Sequence, residues 1–345
     1  MYMFHKIVNN YFFIIFFSII ALVILNCTSY ALPAFPGAEG FGCETEHARG
    51  KPVFHVTRLD DKDVMQNLRY LNKKPGCFRW ALAKAKEAGG GYIVFDVAGT
   101  IELIRAAHVP SNTYIAGQSA PGDGIAFTRE PIKVLGSSNV VIRHIRCRGD
   151  YELGEKGKGQ DAILISSSAR VVLDHVSVSF FQDGAVDIVG STDVNLQWSH
   201  FGDAVDSQKY ESYHGQPHLV RTGSNRISMH HNFLTHVHSR APLYDGRNKK
   251  NGLVEFSNGV VYNFRKYPSV FALPEGKGNA VGNYYIPGRN THGDNGKKYR
   301  GAIIGNNNFT LHVKDNRFIS SSPDAPGHDD EGCPGSDHEI GRAHV

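Results

Sequence analysis

The chain has 345 residues, among them 37 glycines, with 20% charged residues and a formal net charge of +4. So small a positive balance, with no basic run, argues against a nucleic-acid binder and leaves a weak bias toward anionic partners. No Pro/Ser-rich or charged linker divides the chain, so its bulk reads as one large, turn-rich domain, expected to be a monomer.

At the start, His5 and Lys6 precede the apolar run Tyr11 to Leu25, and Ser29-Tyr30-Ala31 forms a small-x-small cleavage pattern. Residues 1–31 are therefore read as a signal peptide, which implies a secreted, extracellular protein with no stable membrane partner once the signal is removed. Lipoprotein anchoring at Cys27 is the minor alternative, because Asn26 suits that signal poorly. Export would leave Cys43, Cys77, Cys147 and Cys333 in an oxidising compartment. Four cysteines allow three pairings. Cys43 with Cys77 is mildly preferred, since both lie in Gly- and Pro-containing loops near the N-terminus. Cys147, in the strand-like VVIRHIRC, reads as a small buried hydrophobe. None shows zinc spacing.

The segment Cys77 to Ala88, CFRWALAKAKEA, is the one convincing amphipathic helix, stopped by GGG. It is expected to cap the N-terminal end of a repeating array of strands. SNVVIRHIRC, ARVVLDHVSV, TDVNLQWSHF, NRISMHHNFL and GLVEFSNGVV each read as an aliphatic strand entering a polar or aromatic step. Their central residues Ile142, Leu173, Leu196, Met229 and Phe256 recur at intervals of about 23 to 33 residues, the scale of one coil in a stacked-strand solenoid. GNAVGNYYIPG and LHVKDNRFI continue the stack less regularly. A β-sandwich would show more hairpin turns. The fold class is therefore all-β, a right-handed single-stranded parallel β-helix over residues 32–323. Residues 324–339 form an acidic, truncated tail. Residues 340–345, IGRAHV, read as an in-frame adapter translation rather than natural protein.

Within the repeats, Asp161, Asp183 and Asp187 gather acidic groups, and Arg240 opens RAPLY. Asp183 and Asp187 are four residues apart and share a side of an extended segment, while Asp161 lies about one coil earlier. Hard cations such as calcium take oxygen ligands of this kind. A turn at Asp183-Gly184 is the bland alternative for an isolated DGxxD. Asp174 and His175 read as a hydrogen-bonded structural pair. His230, His231, His236 and His238 form a second cluster. His236 and His238 are expected to share a strand face, with side-chain stacking favoured over a zinc or copper site.

The motifs FPGAEGFG, VAGTIEL, YIAGQSAPGDGI, VVLDHVSVS, DGAVDI, HHNFL and SRAP, in this order, resemble the secreted pectate lyases of polysaccharide lyase family one. The resemblance runs from Phe35 to about Phe318. It implies a parallel β-helix that cleaves polygalacturonate by calcium-dependent β-elimination, giving unsaturated oligogalacturonides. It makes Asp161, Asp183 and Asp187 the calcium-binding acids and Arg240 the base. Lys209 is the nearest candidate for the family's substrate-binding lysine, across a gap of a few residues. Two positions depart from the pattern: Gly159 stands where the family commonly has a further acid, and Asp245 where it has a second arginine, for which Arg247 is the substitute. A hydrolase would need an acid/base carboxylate pair instead. A catalytically weak or inactive β-helix that binds acidic polysaccharide is the alternative reading, motivated by Gly159, Asp245 and the displaced Lys209.

Overall fold

The described coils from Gly91 to Gly305 carry three short strands each, and strands at the same place in successive coils pair in parallel. The computed structural model describes residues 32–61, 74–149, 161–205, 215–221, 223–245, 252–272, 274–291, 302–305, 308–319 and 328–329. The chain divides into two compact units, Met1–Leu32 and Pro33–Val345, and the β-helix is the second. The signal-peptide, Cys27 and adapter readings lie outside the described residues, as does all of the tail except His328–Asp329. Among the described residues, no helix is long and apolar enough to cross a membrane.

Among the described residues, three sheets of ten, ten and eight strands form the walls of a parallel β-helix, with His328–Asp329 added antiparallel at the end of one of them. In the first sheet the strands Ser138–Arg143, Ala169–Asp174, Thr192–Gln197, Asn225–His230 and Leu253–Ser257 are successive neighbours. Their central residues Ile142, Leu173, Leu196, Met229 and Phe256 pair one to the next, as the repeat interval requires. All five are fully buried, and Ala280 and Val313 extend the line. Each inward side chain therefore packs between its counterparts above and below, so the apolar filling repeats along the axis.

Buried polar ladders run along the corners. The Ser137 N–H donates to Ser168 Oγ at 3.2 Å, the Ser168 N–H to Ser191 Oγ at 3.1 Å, and the Ser191 N–H to Ser224 Oγ at 3.4 Å. At another corner the Ser199 N–H donates to Asn232 Oδ1 at 3.0 Å, while Asn232 Nδ2 donates to the Leu196 carbonyl at 2.8 Å. These side chains satisfy backbone groups that a bend in the chain would otherwise strand away from water. Asn232→Ala is expected to lower stability by about 1–3 kcal/mol, the cost of a buried N–H left unpaired, as measured by denaturant unfolding. Where the first sheet turns into the second, the backbone enters the left-handed region once per coil, at His144, His175, Trp198, His231, Asn258, Gly282 and Asp315 (φ 49° to 67°).

The helix Phe78–Glu87 is capped at Cys77, whose Sγ accepts the Trp80 N–H at 3.4 Å. It buries Phe78, Ala81, Leu82 and Ala85 and packs against the first two strands of the first sheet, Val53–Val56 and Gly91–Phe95. It closes the N-terminal end as expected.

Residues 33–48 form a strap on the outer face of the first sheet. Ala34, Phe35 and Ala48 pack there with Tyr114, Ala116, Val141 and Val172. The Glu39 N–H donates to Gln197 Oε1 at 3.1 Å and the Phe41 N–H to Ser228 Oγ at 3.0 Å. Gly40, at φ +81°, presses so closely that an added Cβ would lie 2.7 Å from both Asn195 Oδ1 and Ser228 Cβ, so glycine is required. This placement corrects the preferred Cys43–Cys77 pairing. Neither is joined in a disulfide. Cys43 follows the strap to the middle coils, where Gly42 abuts Asp193 and Val171, while Cys77 caps the helix at the first coil. Cys147 is buried, as expected.

Candidate active site

The third sheet carries the acids. Its strands Ile163–Ser166, Gly184–Val189, Gln216–Arg221 and Leu243–Asp245 are successive neighbours. Ile163 pairs with Val186, and the Ala162 N–H donates to the Gly184 carbonyl at 2.9 Å, which sets Asp161 beside Gly184. Asp183 ends the turn before Gly184, and Asp187 lies three residues further along the strand, at its half-buried outer face.

Gly184 is the centre of this arrangement. A Cβ built on it would lie 2.4 Å from Asp161 Oδ1 and 2.7 Å from Asp187 Oδ1. Two carboxylate oxygens from adjacent coils thus converge on a point that any side chain would fill. Burial, then the Asp183 charge, pushes the Asp161 carboxyl up to about 6, against a hydrogen bond from the Gly184 N–H. Burial, then Asp161 and Asp183, pushes Asp187 up to about 8, with Arg240 and Arg221 pulling the other way. Packed carboxylates whose ionised forms repel are the electrostatic condition a hard divalent cation relieves, and its oxygen ligands sit at about 2.3–2.6 Å. The residues present therefore fit calcium.

Arg240 stands one strand beyond Gln216–Arg221, and its carbonyl accepts the His218 N–H at 3.1 Å. Its φ of +59° is left-handed, and Ala241-Pro242 follows in cis. The backbone around it is pinned further by the Ala241 N–H bond to the Pro268 carbonyl. So Asp161, Asp183 and Asp187 bear on one another electrostatically, and Arg240 bears on Asp187. Lys209 and Arg247 lie outside the described residues. Arg221 was missed in the sequence. It bears on both raised carboxyls and pairs in register with Asp245. Asp245 therefore has a cation as its ladder neighbour. The signal available was QPHLVR, one coil after DGAVDIV.

The other polar clusters resolve differently. Asp174 is buried and accepts hydrogen bonds from Arg143 Nε at 2.5 Å and Gln197 Nε2 at 2.7 Å, and it meets His175 Nδ1 at 2.9 Å. It is a structural hub, with the Arg143 guanidinium 3.7 Å above the Phe35 ring. His236 and His238 do not share a strand face. The strand Phe233–Thr235 ends before them, because His236 turns left-handed at φ +49° and pairs with Asp203 at 3.0 Å.

A family profile described as pectate lyase matches residues 95–322, two thirds of the chain. The chain belongs to the pectate lyase family. The probable pectate lyase C of Emericella nidulans is 30% identical over 312 residues, covering 90% of this chain and 64% of the relative. That of Aspergillus flavus is 31% identical over 304 residues, covering 87% and 63%. The chain thus spans somewhat less than two thirds of the length of the curated relatives it matches. Among solved structures, a Bacillus pectate lyase in complex with trigalacturonate aligns over 85% of this chain and 93% of its own, with a TM-score of 0.56 and 15% identity. At that identity the likeness concerns the fold alone, a pectate lyase parallel β-helix.

Proposed function

We propose that this member of the pectate lyase family is a secreted enzyme that cleaves de-esterified pectin by calcium-assisted β-elimination. The reading rests on one observation above the rest: the carboxylates of Asp161 and Asp187 converge over Gly184, with Asp183 and Arg240 in reach. The trigalacturonate bound by the Bacillus protein of the same fold supports an acidic galacturonate chain as the substrate. In this reading Asp161, Asp183 and Asp187 hold calcium, which when bound supplies charge to the uronate carboxylate and so acidifies the adjoining C5–H.

Arg240 takes the C5 proton. The bond between C4 and its glycosidic oxygen then breaks, the electron pair of the C–H bond becomes the new C4–C5 double bond, and the leaving oxygen keeps the C–O pair and takes a proton from water to become the hydroxyl of the departing sugar. A charged guanidinium has no acceptor lone pair, so Arg240 acts in its neutral form; the Asp187 carboxylate opposes that form, and a cation held by the acids would offset its charge. Turnover should accordingly climb with pH. Lys209 and Arg247 are proposed as substrate-binding cations, and Arg221 is added to them, beside Asp245.

The deciding assay is the release of unsaturated uronides from polygalacturonate at alkaline pH, followed by their ultraviolet absorbance with and without chelator. The expected result is calcium-dependent absorbance. New reducing ends without unsaturation would indicate hydrolysis. No cleavage by the folded protein with calcium present would move the reading to a binding protein for acidic polysaccharide.

Calcium binding should depend on pH in a definite direction. Because the folded pKa values of Asp161 and Asp187 are raised, the metal-free fold holds protons the unfolded chain releases. Its stability is then fullest below the usual carboxylate pKa near 4 and declines as pH rises through about 6 to about 8. Calcium must displace those protons, so its affinity should rise over the same window and its binding at pH 6 should release protons. Calorimetry in buffers of different ionisation enthalpy measures both. In Asp187→Asn the step near pH 8 should vanish, with calcium binding weakened and the β-rich circular dichroism spectrum intact. Binding that is unchanged in that variant removes Asp187 from the site.

A further inference from the structure

Where the first sheet turns into the second, His230 and His231 bring their Nδ1 atoms to 3.0 Å. The rings stand nearly perpendicular, at 87°. A carboxylate oxygen of Glu39, on the strap, and one ring nitrogen of each histidine lie within 4.8 Å of one another. His230 is only 3% exposed, so its ring is held away from water beside the Glu39 backbone. Two nitrogens bound at about 2.0–2.1 Å to one metal ion at a right angle stand about 3 Å apart, whereas tetrahedral ligands stand further apart. The left-handed turn at His231, φ +55°, sets the two adjacent side chains facing one point. Trp198 stacks on the His231 ring at 4.1 Å and 12°, which fixes its plane.

We infer that Glu39, His230 and His231 form a second metal site, separate from the acids of the third sheet, that takes one copper(II) ion and ties the strap to the wall of the solenoid. Two imidazoles and one carboxylate at right angles suit a tetragonal ion, and copper(II) leads the divalent series in affinity for such donors. A second grouping, His144, Asp174 and His175, also falls within ligand reach. It does not compete, because both Asp174 oxygens are already engaged by Arg143, His175 and Gln197. The site crosses from residue 39 to residues 230 and 231, so an ion there adds a cross-link that the unfolded chain lacks and should raise the melting temperature.

Copper(II) chloride is the probe, added to the full chain in the presence of excess calcium. The expected result is saturable uptake of one equivalent, seen as quenching of tryptophan fluorescence through Trp198, an axial electron paramagnetic resonance spectrum with two-nitrogen splitting, and a higher melting temperature. Glu39→Gln changes an exposed side chain and leaves the fold testable. It should weaken the one-equivalent binding about 10–100-fold and remove the thermal gain. His231→Ala should abolish the two-nitrogen signature. Since the chain holds 18 histidines, copper binding unchanged in both variants would place the ion elsewhere and overturn the proposal. Wild-type affinity in Glu39→Gln alone, or no saturable first equivalent in the native chain, would overturn it equally.

Discussion

Arg240→Lys is expected to bind polygalacturonate as the native protein does, in the presence of calcium, and to lose turnover by about 10²–10⁴-fold, the range typical of a lost general base. Lysine keeps the cation but shortens its reach and gives up the planar fork. Were Arg240 only a contact for the substrate's charge, lysine would serve nearly as well. Position is what the backbone around it secures: a left-handed φ, a carbonyl held by the His218 N–H, and the Ala241 N–H bound to the next coil. Steady-state rates and calorimetric binding on the same preparation separate the two roles. Near-normal turnover, or equal losses in binding and turnover, would make Arg240 an electrostatic contact and send the search for the base to Lys209 and Arg247.

Gly184→Ala should be nearly as damaging, without removing any charged group. The new methyl would lie 2.4 Å from Asp161 Oδ1 and 2.7 Å from Asp187 Oδ1. Carboxylates have to swing away from it, because Gly184 itself is held in a ladder, facing Gln216 on one side, with its carbonyl accepting the Ala162 N–H on the other. Its φ lies outside the left-handed range, so alanine fits the backbone and the fold should persist. Calcium affinity is expected to fall about 10–100-fold or more, and pectate cleavage with it. Titration with calcium, beside a circular dichroism spectrum, is the check. An alanine variant that binds calcium normally would show that the cation does not sit between these two oxygens.

The fold was largely legible, and the register was the easiest part. Ile142, Leu173, Leu196, Met229 and Phe256 could be aligned by eye because a solenoid repeats the same inward position once per coil. Asp161 and Asp187 were legible for a related reason: their separation is close to one coil. Arg221 escaped because nothing in its own strand marks it, and its nearness to the acids depends on how the third sheet stacks. His236 was misread as strand because a left-handed turn at a residue other than glycine leaves no trace in the sequence. The Cys43–Cys77 pairing failed through distance along the axis. Both cysteines are near in sequence, yet the strap carries one of them several coils away.

That strap also imposes an order on the making of the molecule. Glu39 docks on Gln197, 158 residues later, and Phe41 on Ser228, 187 residues later. A ribosome adding about 5–20 residues per second needs about 8–30 s to supply the first of these anchors after Glu39 has been made. Until then Phe35 and its neighbours have no complete wall to lie on, and Tyr114, Val141 and Val172 are left without their cover. The strap can take its docked place only once the middle coils that carry Gln197 and Ser228 have been made.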